Sequence, residues 1–226
     1  MLLHIQSLLT ADELRDVRDT LDRAPWIDGR HTAGHRAHRV KNNLQLDVDL
    51  PEARRLGELV ADRLARNAVF LSAALPLRIV PPRFNRYDGD GHYGSHVDNA
   101  VFPIPGAAAS VRSDLSITLF LSDPADYDGG ELLIDDMFGE QSVKLPAGDA
   151  ILYPGSSLHR VSPVTRGTRY ASFLWAQSLV REDQRRRMLY DLDISIQALS
   201  GDHPDHAAID RLTGVYHNLL REWSVT

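Results

Sequence analysis

Between Leu77 and Leu179 the chain offers no ten-residue stretch with helical periodicity; it breaks into short segments in which apolar residues recur at every second position. Leu115, Ile117, Leu119 and Leu121 alternate with Ser116, Thr118 and Phe120, and further runs stand at Glu131–Ile134, Ser142–Leu145, Ala150–Tyr153 and Arg169–Trp175. A period of two marks a strand, whose successive side chains point to opposite faces. Asp128-Gly129-Gly130, Pro146-Ala147-Gly148-Asp149 and Pro154-Gly155 separate the runs as turns. Parallel neighbours would need crossovers of a dozen or more residues, normally helices, and the segment has no room for them. It is therefore expected to fold as antiparallel strands in a double-sheet sandwich or a jelly roll (double-stranded β-helix).

Helices flank this β-rich core. Thr10-Ala11-Asp12-Glu13 has the spacing of a capping box, and Leu14, Val17 and Leu21 follow at helical spacing until Ala24-Pro25. Asp49-Leu50-Pro51-Glu52 opens a second helix carrying Leu56, Val60 and Leu64. Beyond Arg181, Leu189, Leu192, Ile196 and Leu199 form one stripe and Ile209, Leu212, Tyr216, Leu219 and Trp223 another. A break at Gly201–Pro204 joins them into a helical hairpin. The expected fold is mainly β with flanking helices: a support region over 1–76, a jelly-roll core over 77–179 and a C-terminal helical extension over 180–226, with no internal repeat.

Composition narrows the chemistry. The absence of cysteine rules out disulfides, thiolate metal sites and cysteine nucleophiles, so a metal would be held by nitrogen and oxygen donors. A formal net charge of −6 argues against a basic nucleic-acid-binding surface, and Arg185-Arg186-Arg187 is expected to be a solvated helix face. The N-terminal residues lack the basic start and apolar core of a signal peptide, and no run approaches the length of a membrane span, so a cytoplasmic protein without a membrane partner is expected.

The stretch NRYDGDGHYGSHVDN, Asn85 to Asn99, carries the chemistry. It fails as a calcium-binding EF-hand loop, because Tyr93 falls where glycine is required and Asn99 where the terminal glutamate belongs. In a strand, His96 and Asp98 project from one face while Val97 packs to the other. His159 follows a separate strand, and two histidines with one carboxylate bind one face of an octahedral ion and leave the other open. Arg169, ten residues further on, opens a strand expected to lie beside the one bearing His159. A divalent ion, one carboxylate ligand and a dianionic oxoacid leave one negative charge, which a single buried arginine neutralises with a two-pronged donor. His31, His35 and His38 are read as a polar loop rather than a second metal site, since Gly29 and Gly34 oppose a helix there. His92 and Tyr93 are candidates for the pocket mouth, and Asn42, Asn43 and Gln45 either bond substrate or pair along a strand edge.

These motifs, with WIDGR near Trp26, VKNNLQ at Val40–Gln45, YDGGEL at Tyr127–Leu132 and HRVSPVTRGTRYASFLWAQS at His159–Ser178, resemble the iron(II)/2-oxoglutarate dioxygenases. Within them the chain is most similar to the PKHD-type hydroxylases, bacterial prolyl-4-hydroxylase-like proteins with relatives associated with iron uptake. The resemblance implies iron(II) on His96, Asp98 and His159, the distal carboxylate of 2-oxoglutarate on Arg169, and Tyr87 as a further cosubstrate partner. It also implies hydroxylation with release of succinate and carbon dioxide, with L-ascorbate as the candidate reductant. The substrate is a small molecule or a protein side chain, and the appended hairpin makes a homo-oligomer conceivable. A non-catalytic cupin-like sensor and a zinc hydrolase are the competing readings. Succinate formation separates the first; the second lacks a glutamate general base beside the ligands. Finally, Asn99–Asp114 holds Pro103, Pro105 and Gly106 beside Val101, Phe102 and Ile104, a composition that breaks the strand and suits either a passive loop or a lid.

Overall fold

Antiparallel pairing joins every strand named below in a computed structural model of the protein, which describes residues 1–32, 37–103, 110–137 and 139–225. The major sheet runs in the order Leu3–Ile5, Ala150–Pro154, Leu115–Phe120, Arg169–Ser178, Arg83–Tyr87, Leu44–Leu46 and Trp26–Asp28, with Pro76–Ile79 pairing the far end of Arg169–Ser178. The minor sheet runs Gly139–Val143, Leu132–Asp136, His159–Val161, His92–His96 and Lys41–Asn42. This is the jelly roll expected from the alternation, and strands from the first 76 residues extend both sheets.

Helices cover one face of the major sheet and the minor sheet lies across the other. Helix α1, Ala11–Arg23, begins at the expected capping box: Thr10 Oγ1 accepts from the Glu13 amide and Glu13 accepts from the Thr10 amide. Helix α2, Pro51–Arg66, has proline in its first turn, where a missing N–H costs nothing. Val17 and Leu21 of α1 and Leu56, Val60 and Leu64 of α2 have no solvent exposure and pack with Phe84, Leu115, Ile117, Leu119, Leu152 and Leu174 of the sheet. A short helix, α3 (Ala68–Ala74), escapes the periodicity argument; its local signal is Asn67, whose side chain accepts from the Phe70 amide. The opposite face of the sheet contributes Tyr87, Phe120, Ile151 and Tyr153 to a second core shared with Leu132, Ile134 and Val161 of the minor sheet.

Strand Leu115–Phe120 shows what the alternation means here. All six residues are buried. The polar positions Ser116 and Thr118 face not solvent but the space between the sheets, where they line a pocket.

The C-terminal helices α4 (Asp183–Asp202) and α5 (Ala208–Trp223) form the expected hairpin, packed on the domain through Leu75, Val180 and Leu189 with Tyr216, Leu219, Leu220 and Trp223. Arg186 departs from the solvated face expected of the arginine run. It is buried, donates to the carbonyls of Val180 (2.8 Å) and Arg181 (2.6 Å) and pairs with Asp183 (3.0 Å). Burial is tolerable because the backbone oxygens around the guanidinium replace water. Among the described residues no helix is long and apolar enough to cross a membrane.

Replacing Leu152, fully buried between sheet and helices, by alanine is expected to cost about 2–5 kcal/mol of unfolding free energy, and Leu219→Ala, on the half-buried α5, distinctly less. Urea unfolding of the two variants checks the order.

Candidate metal and cosubstrate site

The minor sheet aligns His159 with His96 as direct cross-strand partners, which places the imidazole centroids 4.3 Å apart. The strand ends at His96, so Asp98 sits in the extended segment beyond it, and Val97 is about half exposed (51%) rather than packed. Asp98 nonetheless converges on the pair: its oxygens lie 3.8 Å from His96 Nε2 and 3.9 Å from His159 Nε2. These separations are too long for hydrogen bonds and leave room for a small ion between the donors. The three ligand atoms fall within 4.8 Å of one another, and this is the cluster among the described residues that could hold a metal. His31 and His38 are exposed and outside it, and His35 is outside the described residues.

The donors are also held in the form a metal needs. His96 Nδ1 lies 2.8 Å from the Gly94 carbonyl and His159 Nδ1 3.0 Å from the Ser157 carbonyl. A carbonyl only accepts, so each Nδ1 carries the proton and each Nε2 turns its lone pair inward. Burial, with His159 alongside, pushes His96 down to about 4, which keeps it neutral at physiological pH. Ser116 Oγ donates to Asp98 Oδ2 at 2.7 Å and fixes the carboxylate. Sequence reasoning missed Ser116; its only signal was a polar residue at an inward register of a buried strand.

Arg169 approaches from the other sheet. The expectation that its strand lies beside the one bearing His159 is not met: Arg169–Ser178 runs between Leu115–Phe120 and Arg83–Tyr87. The intervening strand Val164–Gly167 pairs instead with Tyr127–Gly129 and carries the chain across from the minor sheet to the major one. Arg169 is aligned with Tyr87, and its guanidinium lies 5.1 Å from the Tyr87 ring and 5.3 Å from the Phe120 ring. It is 1% exposed, its Nε has no hydrogen-bond partner, and no carboxylate of the described residues forms a salt bridge with it. Such a buried cation fits a bound carboxylate, the group 2-oxoglutarate presents at its distal end. Gly130 makes room for it: a Cβ there would stand 3.0 Å from Arg169 Cδ, and its φ of +67° is one that side chains disfavour. Asp128-Gly129-Gly130 is therefore more than a turn signal.

Tyr87 is buried, accepts from Asn85 Nδ2 at 3.2 Å, and is pushed up in pKa by that burial. Tyr93 lines the pocket and stacks on His96 at 3.7 Å, whereas His92 bonds the Asp90 carbonyl and does not line it. Asn42 reaches the same carbonyl and also stands away from the metal ligands, while Asn43 and Gln45 are buried. Lys41, Arg83, Tyr153 and Trp175, none of them singled out in sequence, complete the walls. In the candidate lid, Val101–Pro103 and Ser110–Arg112 pair as an antiparallel ribbon whose Phe102 lines the pocket, with Val101 turned to solvent. Residues 104–109, including Pro105 and Gly106, lie outside the described residues.

Comparison with known proteins gives the family and the fold. Residues 82–177 match the 2OG-Fe(II) oxygenase superfamily and residues 183–224 the PKHD-type hydroxylase C-terminal domain. A PKHD-type hydroxylase of Delftia acidovorans is 58% identical over 224 residues, covering 99% of both chains. Among solved structures, a Pseudomonas putida prolyl-4-hydroxylase shares the fold at a TM-score of 0.53 and 19% identity, covering 78% of this chain and 92% of its own. HygX of Streptomyces hygroscopicus, solved with nickel and 2-oxoglutarate, does so at 0.54 and 17%, covering 80% and 84%.

Ser116→Ala is expected to leave the circular dichroism spectrum unchanged while weakening metal binding about 10–100-fold, because Asp98 loses the donor that orients it. Titration of the metal-free variant with cobalt(II), followed by its visible absorption, measures this.

Proposed function

The chain belongs to the PKHD-type hydroxylases, iron(II)- and 2-oxoglutarate-dependent dioxygenases, and from that premise we propose that His96, Asp98 and His159 hold the iron while Arg169, assisted by Tyr87, takes the distal carboxylate of 2-oxoglutarate. The observation that carries the assignment is the two Nδ1–H to carbonyl bonds, which turn both Nε2 lone pairs toward the Asp98 carboxylate. Iron(II) and 2-oxoglutarate, when bound, would activate dioxygen, one oxygen atom going to succinate as carbon dioxide is lost and the other to the hydroxylated substrate.

The chain's own groups then have distinct tasks. Asp98 brings the single negative charge among the ligands, and Ser116 keeps it from swinging away. Arg169 fixes one end of the cosubstrate by a planar two-pronged donor and balances its second charge. Tyr87 and Phe120 flank the guanidinium and keep water from it, which strengthens its grip on an anion. Residues 77–179 form the oxygenase core, a division supported by the superfamily match to 82–177, with 1–76 as a support region and 180–226 as a C-terminal helical extension. Strands from 1–76 complete both sheets, so the division is one of function rather than of folding. The substrate is a small molecule or a protein side chain, the setting is the cytoplasm and the reductant is L-ascorbate.

Purified protein supplied with iron(II), 2-oxoglutarate and air should release succinate, and Asp98→Ala should abolish that release. Arg169→Lys should fold normally and raise the half-saturating 2-oxoglutarate concentration by roughly tenfold to a hundredfold, since a point charge replaces a bidentate donor worth about 1.5–3 kcal/mol. An unchanged half-saturation would move the cosubstrate carboxylate elsewhere.

A further inference from the structure

The motifs WIDGR and VKNNLQ meet at one row of the major sheet. Arg169 is the cross-strand partner of Tyr87. On the other side of Tyr87, Leu44 pairs with Arg86 and Gln45 with Asn85, so Asn43, one residue further, comes to the level of Tyr87. Beyond it Asp28 pairs with Leu44, and the Gly29 amide donates to the Asn43 carbonyl at 2.9 Å. Arg169, Tyr87, Asn43 and Gly29 therefore stand in order across four strands. Asn43 is also the single residue between Lys41–Asn42 of the minor sheet and Leu44–Leu46 of the major one, which fixes its backbone from both sides.

This row is packed for a side chain at position 43 and against one at position 29. A Cβ on Gly29 would stand 1.9 Å from Asn43 Oδ1 and 3.0 Å from its Cγ, so the Asn43 amide fills the space that any other residue 29 would need. That amide is buried, and neither its nitrogen nor its oxygen has a hydrogen bond of normal length among the described residues. It stands beside the Tyr87 hydroxyl and eases its ionisation, as Asn85 does by donating Nδ2 to the phenol oxygen at 3.2 Å. Burial is the larger influence on Tyr87 and keeps the phenol protonated against the pull of Arg169. A buried amide without a closed hydrogen bond is costly, which gives its retention beside the cosubstrate site a physical meaning.

A phenol oxygen accepts through two lone pairs and donates one hydrogen. Asn85 takes one lone pair, and the Asn43 amide is placed to donate to the other. We infer that Asn43, seated on Gly29, is a positioning residue for the cosubstrate: with Asn85 it fills the acceptor sites of the Tyr87 oxygen and so directs the phenol hydrogen to the distal carboxylate held by Arg169. The inference deepens the proposed function and rests on it, because Arg169 and Tyr87 must take that carboxylate for Asn43 to serve it. A hydrogen bond from a phenol to a carboxylate is charge-assisted, so its direction matters to affinity. Asn43 itself lies two strands from Arg169, roughly 10 Å, and acts through Tyr87 without touching the cosubstrate.

The test uses full-length protein loaded with nickel(II) as a redox-inert ion. Calorimetry measures 2-oxoglutarate affinity, and a separate titration measures nickel affinity. Asn43→Ala should weaken 2-oxoglutarate binding about three- to tenfold, the worth of one hydrogen bond, and leave nickel affinity within about twofold of wild type. Tyr87→Phe should weaken it at least as much, and adding Asn43→Ala to Tyr87→Phe should cost nothing further, since the hydroxyl that Asn43 serves is gone. Gly29→Ala reaches the same contact by a second route and keeps the inference testable should Asn43→Ala not fold: it should displace the amide and reproduce the loss. Wild-type 2-oxoglutarate affinity in either Asn43→Ala or Gly29→Ala would overturn the inference. So would wild-type affinity in Tyr87→Phe, or an undiminished effect of Asn43→Ala in the Tyr87→Phe background, which would make Asn43 a structural neighbour only. If wild-type protein fails to bind 2-oxoglutarate at all, the underlying function falls first, and this inference with it.

Discussion

Cross-strand pairing of His159 with His96 is the constraint on which the site depends. The two residues are distant in sequence, and only the antiparallel register of the minor sheet brings their rings to 4.3 Å. A shift of one residue in that register would turn one imidazole to the outer face. The surrounding structure defends the alignment. Leu132–Asp136 pairs His159–Val161 from the other side, with Ile134 opposite His159, and the backbone carbonyls of Gly94 and Ser157 hold the two rings by Nδ1. The sheet thus sets both the position of the donors and the nitrogen each presents.

The second organising feature is electrostatic. The pocket contains an ion site with one carboxylate, and two cations on its walls, Arg169 and Arg83, form no salt bridge with a carboxylate of the described residues. A structure built only for stability would pair them or replace them with apolar groups. Here aromatic rings lie beside them: Tyr87 and Phe120 beside Arg169, and Trp175 beside Arg83. Rings shield a cation from water without neutralising it, so its attraction for an incoming anion is retained.

Much of this was legible in the sequence because period-two alternation and spacing are local signals. The jelly roll, α1, α2 and the C-terminal hairpin follow from periodicity and caps, and the ligand residues from chemistry that few other residue types perform. Facts set by non-local register were not legible. Ser116 looked like the solvent side of an amphipathic strand, yet the second sheet makes that side an interior. Arg169 was expected beside the His159 strand, but the Val164–Gly167 excursion sends its strand to the opposite sheet. Arg186 sat in a charge run, and only the carbonyls of Val180 and Arg181 explain its burial. Lys41 and Arg83 had no local pattern, since only the packing of the two sheets makes them pocket walls.

The central claim is that one pocket holds iron through His96, Asp98 and His159 and, through that iron and Arg169 together, holds 2-oxoglutarate. Anaerobic calorimetry with iron(II) and 2-oxoglutarate tests it most directly. The account predicts one iron and one 2-oxoglutarate per chain, with cosubstrate affinity falling at least tenfold when the metal is withheld. Equally tight 2-oxoglutarate binding by metal-free protein, or an iron stoichiometry that survives Asp98→Ala, would contradict it.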